Sequence, residues 1–322
     1  MDYFEPSIDT MQFKNIRRLI KIKPAYKIIR ASKRIVLPGF EGLSLYLVTK
    51  FFFTGLRNGA LNMRATSLSF SFFLALFPTI IFLFTLIPYI PIDDFTNYLF
   101  GLLQKFMPAA AFEATESTIT DIISNKKGGL LSFGFVTALY FSTNGFNAMI
   151  NAFNETYHDI ETRKPLQQRL ISFYMLFLTA VLLTATISLL IYCEFGLKHI
   201  QVNHHNLYVV LSLLKWLIVG IMCYTIISFN YFLGPKRKQG WRFFSAGSMF
   251  ATVFIIIATM LFTYYVNNFG NYNKLYGSIG TLIVILMMIY INSLILLLGF
   301  DLNVSIHSAK KHRDLFKHLA AK

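Results

Sequence analysis

The chain reads as an all-α, polytopic membrane protein with six transmembrane helices and amphipathic helices at the membrane surface. Three observations predict this. First, 14% of its 322 residues are charged and 55% are hydrophobic, with a mean hydropathy of +0.54, whereas soluble domains carry about 25% charged residues. Second, apolar stretches recur from residue 65 to residue 306, each long enough for a hydrocarbon core of about 30 Å. Third, the basic residues are unevenly placed. With six crossings, 24 Lys and Arg fall on the side of the two chain ends and five on the other, so the positive-inside bias puts both ends in the cytoplasm.

Residues 1–41 form a basic arm. Three acids, Asp2, Glu5 and Asp9, are followed by nine basic residues from Lys14 to Arg34, interleaved with Ile, Leu and Val. Such a segment suits the anionic lipids of the cytoplasmic leaflet, at about 1 kcal/mol per basic residue near the surface; a solvated tail is the alternative. No nucleic-acid recognition motif accompanies the charge, so no nucleic-acid partner is expected. No cleavable signal is expected either, and the first span directs insertion. Residues 42–64 carry a helical stripe of Leu43, Leu47, Val48, Phe51 and Phe52, interrupted by Lys50 and Arg57, and are predicted to lie at the interface.

The six-helix membrane domain, 65–306, has spans predicted near 65–90, 128–154, 170–195, 207–233, 243–268 and 277–306. The first has Arg64 as its collar, Ser67 among a hydroxyl cluster, and Pro78 mid-span, where the missing N–H bends a helix. The second carries Asn144, Asn147, Asn151 and Asn154, three or four apart and so on one helical face. Amides in a bilayer need partners, so that face is expected to point inward, either for interhelical hydrogen bonding or to line a path. Glu194 and Lys215, ending the third span and entering the fourth, are predicted to pair, or Lys215 to snorkel outward. The histidines of loop 196–206 lack carboxylates or thiols, and Cys193 and Cys223 are too separated in the pattern to suggest a disulfide; neither a metal nor a cofactor is expected. Residues 307–322 are a basic cytoplasmic tail.

The most informative run opens at Gly270-Asn271-Tyr272-Asn273-Lys274-Leu275-Tyr276-Gly277-Ser278-Ile279-Gly280, crosses an uncharged stretch containing Asn292, and closes on Gly299-Phe300-Asp301-Leu302-Asn303. It resembles the YihY/BrkB family of bacterial inner-membrane proteins, once labelled ribonuclease BN, at Gly270, Tyr272, Asn273, Tyr276, Gly277, Ser278, Gly280, Gly299, Leu302 and Asn303. Phe300 and Asp301 replace that family's usual Ala and Glu. Further matches are Ala65, Leu68, Ser69, Phe70, Phe77 and Pro78 in the first span, Asn154 with Tyr157, and Pro235, Trp241 and Arg242. The resemblance implies a multi-pass inner-membrane location but no settled activity, substrate or oligomeric state.

No nucleophile elbow, Walker loop, His-Glu-x-x-His or paired intramembrane acids occur, so no enzyme is expected. The expectation is a transporter or translocator of a small polar solute or lipid. Its path would be lined by the asparagine face, Ser67, the Pro78 kink, Tyr272, Asn273, Tyr276, Ser278, Asn292 and Asp301, with Gly277 and Gly280 allowing an irregular helix start. Asp301 reads either as a coupling carboxylate or as an ion-pair partner of Arg64. A non-transporting envelope scaffold is the alternative.

Overall fold

The computed structural model describes residues 30–36, 39–86, 101, 130–156, 163–201, 205–236, 242–269 and 278–320. Every longer element among them is helical: α1 Leu45–Asn58, α2 Leu61–Leu86, α3 Leu130–Asn154, α4 Pro165–Gln201, α5 His205–Leu233, α6 Ala246–Phe269 and α7 Ser278–Ala320. With no water in hydrocarbon to satisfy N–H and C=O groups, an apolar chain of this kind folds as helices.

Helices stand at the six predicted spans, but the count of six crossings is not reproduced by length and apolarity. Four helices pass among the described residues: Pro165–Leu190, Val209–Leu233, Ala246–Val266 and Leu282–Leu315. Leu45–Arg57 with Leu61–Pro78, bent by 69°, makes a fifth if the pair is one span. The asparagines of α3 lower its hydropathy and keep it out of this set.

Two boundaries differ from the sequence expectation. α4 starts at Pro165, five residues before the span predicted from 170, because proline suits the first turn of a helix where its missing N–H is not needed. α7 runs 43 residues, about 64 Å at about 1.5 Å per residue, straight through most of the basic tail. The tail is helical because something packs on it. Ile306 and Ala309 form a buried cluster with Phe40, Leu43 and Val48, and Lys310 bonds Glu41 at 2.5 Å.

α2 packs on α3 and α7, α4 on α3 and α5, and α6 on α5 and α7, while α1 lies along the far part of α7. At the centre, Phe153 of α3 stacks on Phe300 of α7 with ring centroids 4.1 Å apart, and Tyr231 of α5 meets both edge-on. The Tyr231 hydroxyl donates to the Leu296 carbonyl. α6 and α7 cross with Gly247 against Gly299; a Cβ on Gly299 would lie 2.6 Å from both the Gly247 carbonyl and the Tyr231 hydroxyl. Outward faces of α4, α5 and α6 expose Leu170, Phe177, Leu213, Trp216, Leu217, Met260 and Leu261, the surface a lipid-facing wall requires. On α5 the Lys215 ammonium stands 5.6 Å from the Trp216 ring centroid; the side chain of Glu194, its expected partner, lies outside the described residues.

Candidate functional site

The site is set by the start of α2 and the end of α3. Chain direction breaks at Gly59–Ala60, where Ala60 takes a φ of 44°, and α2 then opens at Leu61. Arg64 therefore falls on its first turn, one turn from the break. It is 3% exposed, and Asp301 on α7 is 5% exposed. Arg64 Nη2 donates to Asp301 Oδ2 at 2.6 Å and Nη1 to Oδ1 at 3.2 Å. Nη1 also donates to the Ala152 carbonyl at 3.1 Å, and Nε to the Gly59 carbonyl at 2.8 Å. One guanidinium thus joins the α1–α2 break, the end of α3 and the middle of α7. Burying both charges is costly, and the fork geometry together with the two carbonyls offsets that cost. Of the two roles the sequence left open for Asp301, the geometry supplies the ion pair.

Beside this pair α2 and α3 form the walls of an open polar cavity of about 310 Å³, lined by Arg64, Ser67, Ser71, Asn144, Asn147, Asn151 and Glu155, with Ser67, Asn151 and Glu155 exposed. Its α3 wall runs from Glu155 to Asn144, about 16 Å at about 1.5 Å per residue, which is half of a hydrocarbon core. The asparagine face is shared with α4. Arg169 Nη1 donates to Asn144 Oδ1 at 2.7 Å, and its guanidinium lies 3.9 Å from the Tyr140 ring centroid. Gln168 Nε2 donates to Asn147 Oδ1 at 2.8 Å and to Asn151 Oδ1 at 2.7 Å. Each of the three amides spends its carbonyl oxygen on α4, and among the described residues its Nδ2 makes no hydrogen bond. Asn154 Oδ1 is buried without a partner among the described residues.

Asn292 lies elsewhere. It lines a second cavity, about 370 Å³ and almost wholly apolar, between Phe72 and Ala75 of α2, Ser142 and Phe146 of α3, Ile255 of α6, and Ile289, Ser293 and Leu296 of α7. At about 3.6 residues per turn, Ser142 and Phe146 sit on the face of α3 opposite Asn144, Asn147 and Asn151. Between the two faces Phe72 packs on Gly145, where a Cβ would come within 2.8 Å of its ring. The residues expected along one shared interior thus fall into two separate cavities, because the amide row answers to α4 and the α7 amide to the bundle centre. Asn292 Oδ1 and Ser293 Oγ are both buried there without partners among the described residues.

A family model described as Virulence factor BrkB matches residues 52–322. The chain belongs to the BrkB family. A Bacillus subtilis (strain 168) protein named as the ribonuclease-like protein YfkH is 33% identical over 257 residues, covering 78% of this chain and 92% of that protein. UPF0761 membrane protein NTHI0384 of Haemophilus influenzae (strain 86-028NP) is 24% identical over 246 residues, covering 75% and 88%. No solved structure matches the chain.

The closing BrkB-like motif now has a physical reading. Gly299 permits the α6–α7 crossing, Asp301 binds Arg64, and Asn303 caps α6: its Oδ1 accepts from the Gly247 N–H at 2.7 Å and its Nδ2 donates to Ser245 Oγ at 2.8 Å. Pro78 is half-buried inside α2, which continues to Leu86. Ser278 opens α7 and Gly280 is buried. Tyr272, Asn273, Tyr276 and Gly277 lie outside the described residues. Gln168, Arg169 and Glu155 were missed by the sequence reading; Pro165 as a helix-opening residue was the signal that Gln168 and Arg169 belong to a helix. Arg163, just before α4, donates to the Leu233 carbonyl at 3.0 Å, the Pro235 carbonyl at 2.8 Å and the Gly234 carbonyl, closing the end of α5. Among the described residues no three His, Cys, Asp or Glu side chains are grouped to hold a metal ion.

Proposed function

We propose that this BrkB-family membrane protein translocates a small polar solute or a lipid, acting without chemical conversion, in the bacterial inner membrane with both chain ends cytoplasmic. The observation that carries the reading is the cavity of about 310 Å³ with Ser67, Asn144, Asn147 and Asn151 in its wall. Amides and hydroxyls held open at membrane depth are expensive unless they serve a polar occupant. Orientation rests on the charge asymmetry of 24 basic residues to five. The basic arm then meets anionic lipids, and its described end supports this: Ile35 and Val36 are exposed beside Lys33 and Arg34. The word ribonuclease in the Bacillus relative's name is the weaker guide, since hydrolysis of RNA calls for an acid–base or metal-holding set.

Reconstitution of the full chain into vesicles tests the reading. Flux of a polar solute or scrambling of a labelled lipid, reduced at least tenfold by Asn147→Ala with the protein level unchanged, is the expected result. Activity indistinguishable from empty vesicles overturns it. An envelope scaffold is favoured by a specific observation, the use of Asp301 and the asparagine oxygens in bonds between helices. In that case Asn147→Ala lowers the protein level and function in proportion.

A further inference from the structure

We infer that the polar cavity between α2 and α3 is a seat for a phosphate–ammonium zwitterion of the ethanolamine phosphate type, carried by a phospholipid head or free in solution. This names the ligand class for the site on which the translocation reading rests. Inside the cavity the available groups are donors: Asn147 and Asn151 present their Nδ2 groups because Gln168 occupies both carbonyl oxygens, and the Ser67 hydroxyl lines the same space. Phosphate oxygens accept from amides and hydroxyls.

Charge decides which phosphate compound fits. The Arg64 cation in the wall is already neutralised by Asp301, two bonds of 2.6 and 3.2 Å. Arg169, bonded to Asn144 and against the Tyr140 ring, keeps its positive charge but is not among the residues lining the cavity. The lining itself therefore holds no cation beyond Arg64, whose charge Asp301 balances. Glu155, exposed at the mouth, adds a negative charge. That carboxylate repels a purely anionic head and attracts an ammonium. Asn151 and Glu155 are four residues apart, about 5–6 Å between Cβ atoms on one helical face, a gap one two-carbon linker bridges. The ligand therefore carries its phosphate toward Asn147, Asn151 and Ser67 and its amine toward Glu155.

The test uses the purified full-length protein in nanodiscs of phosphatidylethanolamine mixed equally with phosphatidylglycerol, with co-purified lipid counted by native mass spectrometry. The wild type is expected to retain at least fivefold more phosphatidylethanolamine than Glu155→Gln, a preference read over and above the phosphatidylglycerol that the basic arm holds in both. Asn151→Ala is expected to weaken phosphatidylethanolamine retention, and Glu155→Gln to keep the wild-type thermal midpoint. Phosphatidylethanolamine retention untouched by Glu155→Gln overturns the inference. Free phosphoethanolamine is added as a competitor. Displacement of the lipid assigns the soluble zwitterion and its absence assigns the lipid head, either supporting the shared chemistry. Ethanolamine preference without flux leaves this site standing and removes translocation; flux of another solute without that preference does the reverse.

Discussion

Asp301→Asn is the sharpest perturbation of the fold. The substitution keeps the shape of the side chain and deletes its charge. Arg64, 3% exposed, would retain its bonds to the Gly59 and Ala152 carbonyls and lose the carboxylate that neutralises it. Removing one partner of a buried pair costs about 3–5 kcal/mol, a factor of roughly 150 to 4,000 in the folding equilibrium at about 1.4 kcal/mol per decade. The assay is equilibrium unfolding of the purified chain in mixed micelles, followed by helical circular dichroism. The double variant Arg64→Met/Asp301→Leu closes a thermodynamic cycle. It should recover most of the loss, since an apolar pair of similar volume often replaces a buried ion pair at little cost. A loss under about 0.5 kcal/mol for Asp301→Asn, or a double variant as unstable as the two singles added, would refute the view that this pair locks α2, α3 and α7 together.

Two further outcomes follow from the crossing of α6 and α7. Gly299→Ala places a methyl 2.6 Å from the Gly247 carbonyl and the Tyr231 hydroxyl; overpacking of this kind costs about 1–3 kcal/mol, read in the same unfolding assay. Asn303→Ala removes both capping bonds to the start of α6, a loss of about 0.5–2 kcal/mol. Asn303→Asp keeps the acceptor for the Gly247 N–H and should lose less, and amide exchange at Gly247 should rise in the alanine variant alone.

How far the sequence disclosed this depends on the kind of interaction. The helices were legible because apolar length is a one-dimensional signal: an uncharged stretch of hydrocarbon-core length has few alternatives to a helix. The asparagine row was legible for the same reason, since spacings of three and four fix a shared face. Its partners were not. Gln168 and Arg169 fall between the second and third predicted spans, and only the start of α4 at Pro165 brings them to Asn144, Asn147 and Asn151. Arg64 and Asp301 were weighed as a pair, yet the third and fourth bonds, to Gly59 and Ala152, depend on backbone carbonyls that no residue pattern announces. Asn292 was read as part of the same path as Asn147; hydropathy reports depth along a helix but not which side of a neighbouring helix an amide will face. Of the six crossings read from the sequence, four or five are matched by length and apolarity among the described residues, and the amides that make α3 interesting also lower its hydropathy.

Whether the α2–α3 cavity is wet from the basic end is the most direct question. Ser67→Cys and Asn147→Cys, each in a chain with Cys193 and Cys223 replaced by Ala, are exposed to a membrane-impermeant maleimide from one face of oriented membrane vesicles at a time. Both thiols should label from the cytoplasmic face, and Leu217→Cys on the exposed apolar face of α5 should not. An Asn147→Cys thiol that is silent from that face, or that labels from the opposite one, would contradict a polar cavity open to the cytoplasm.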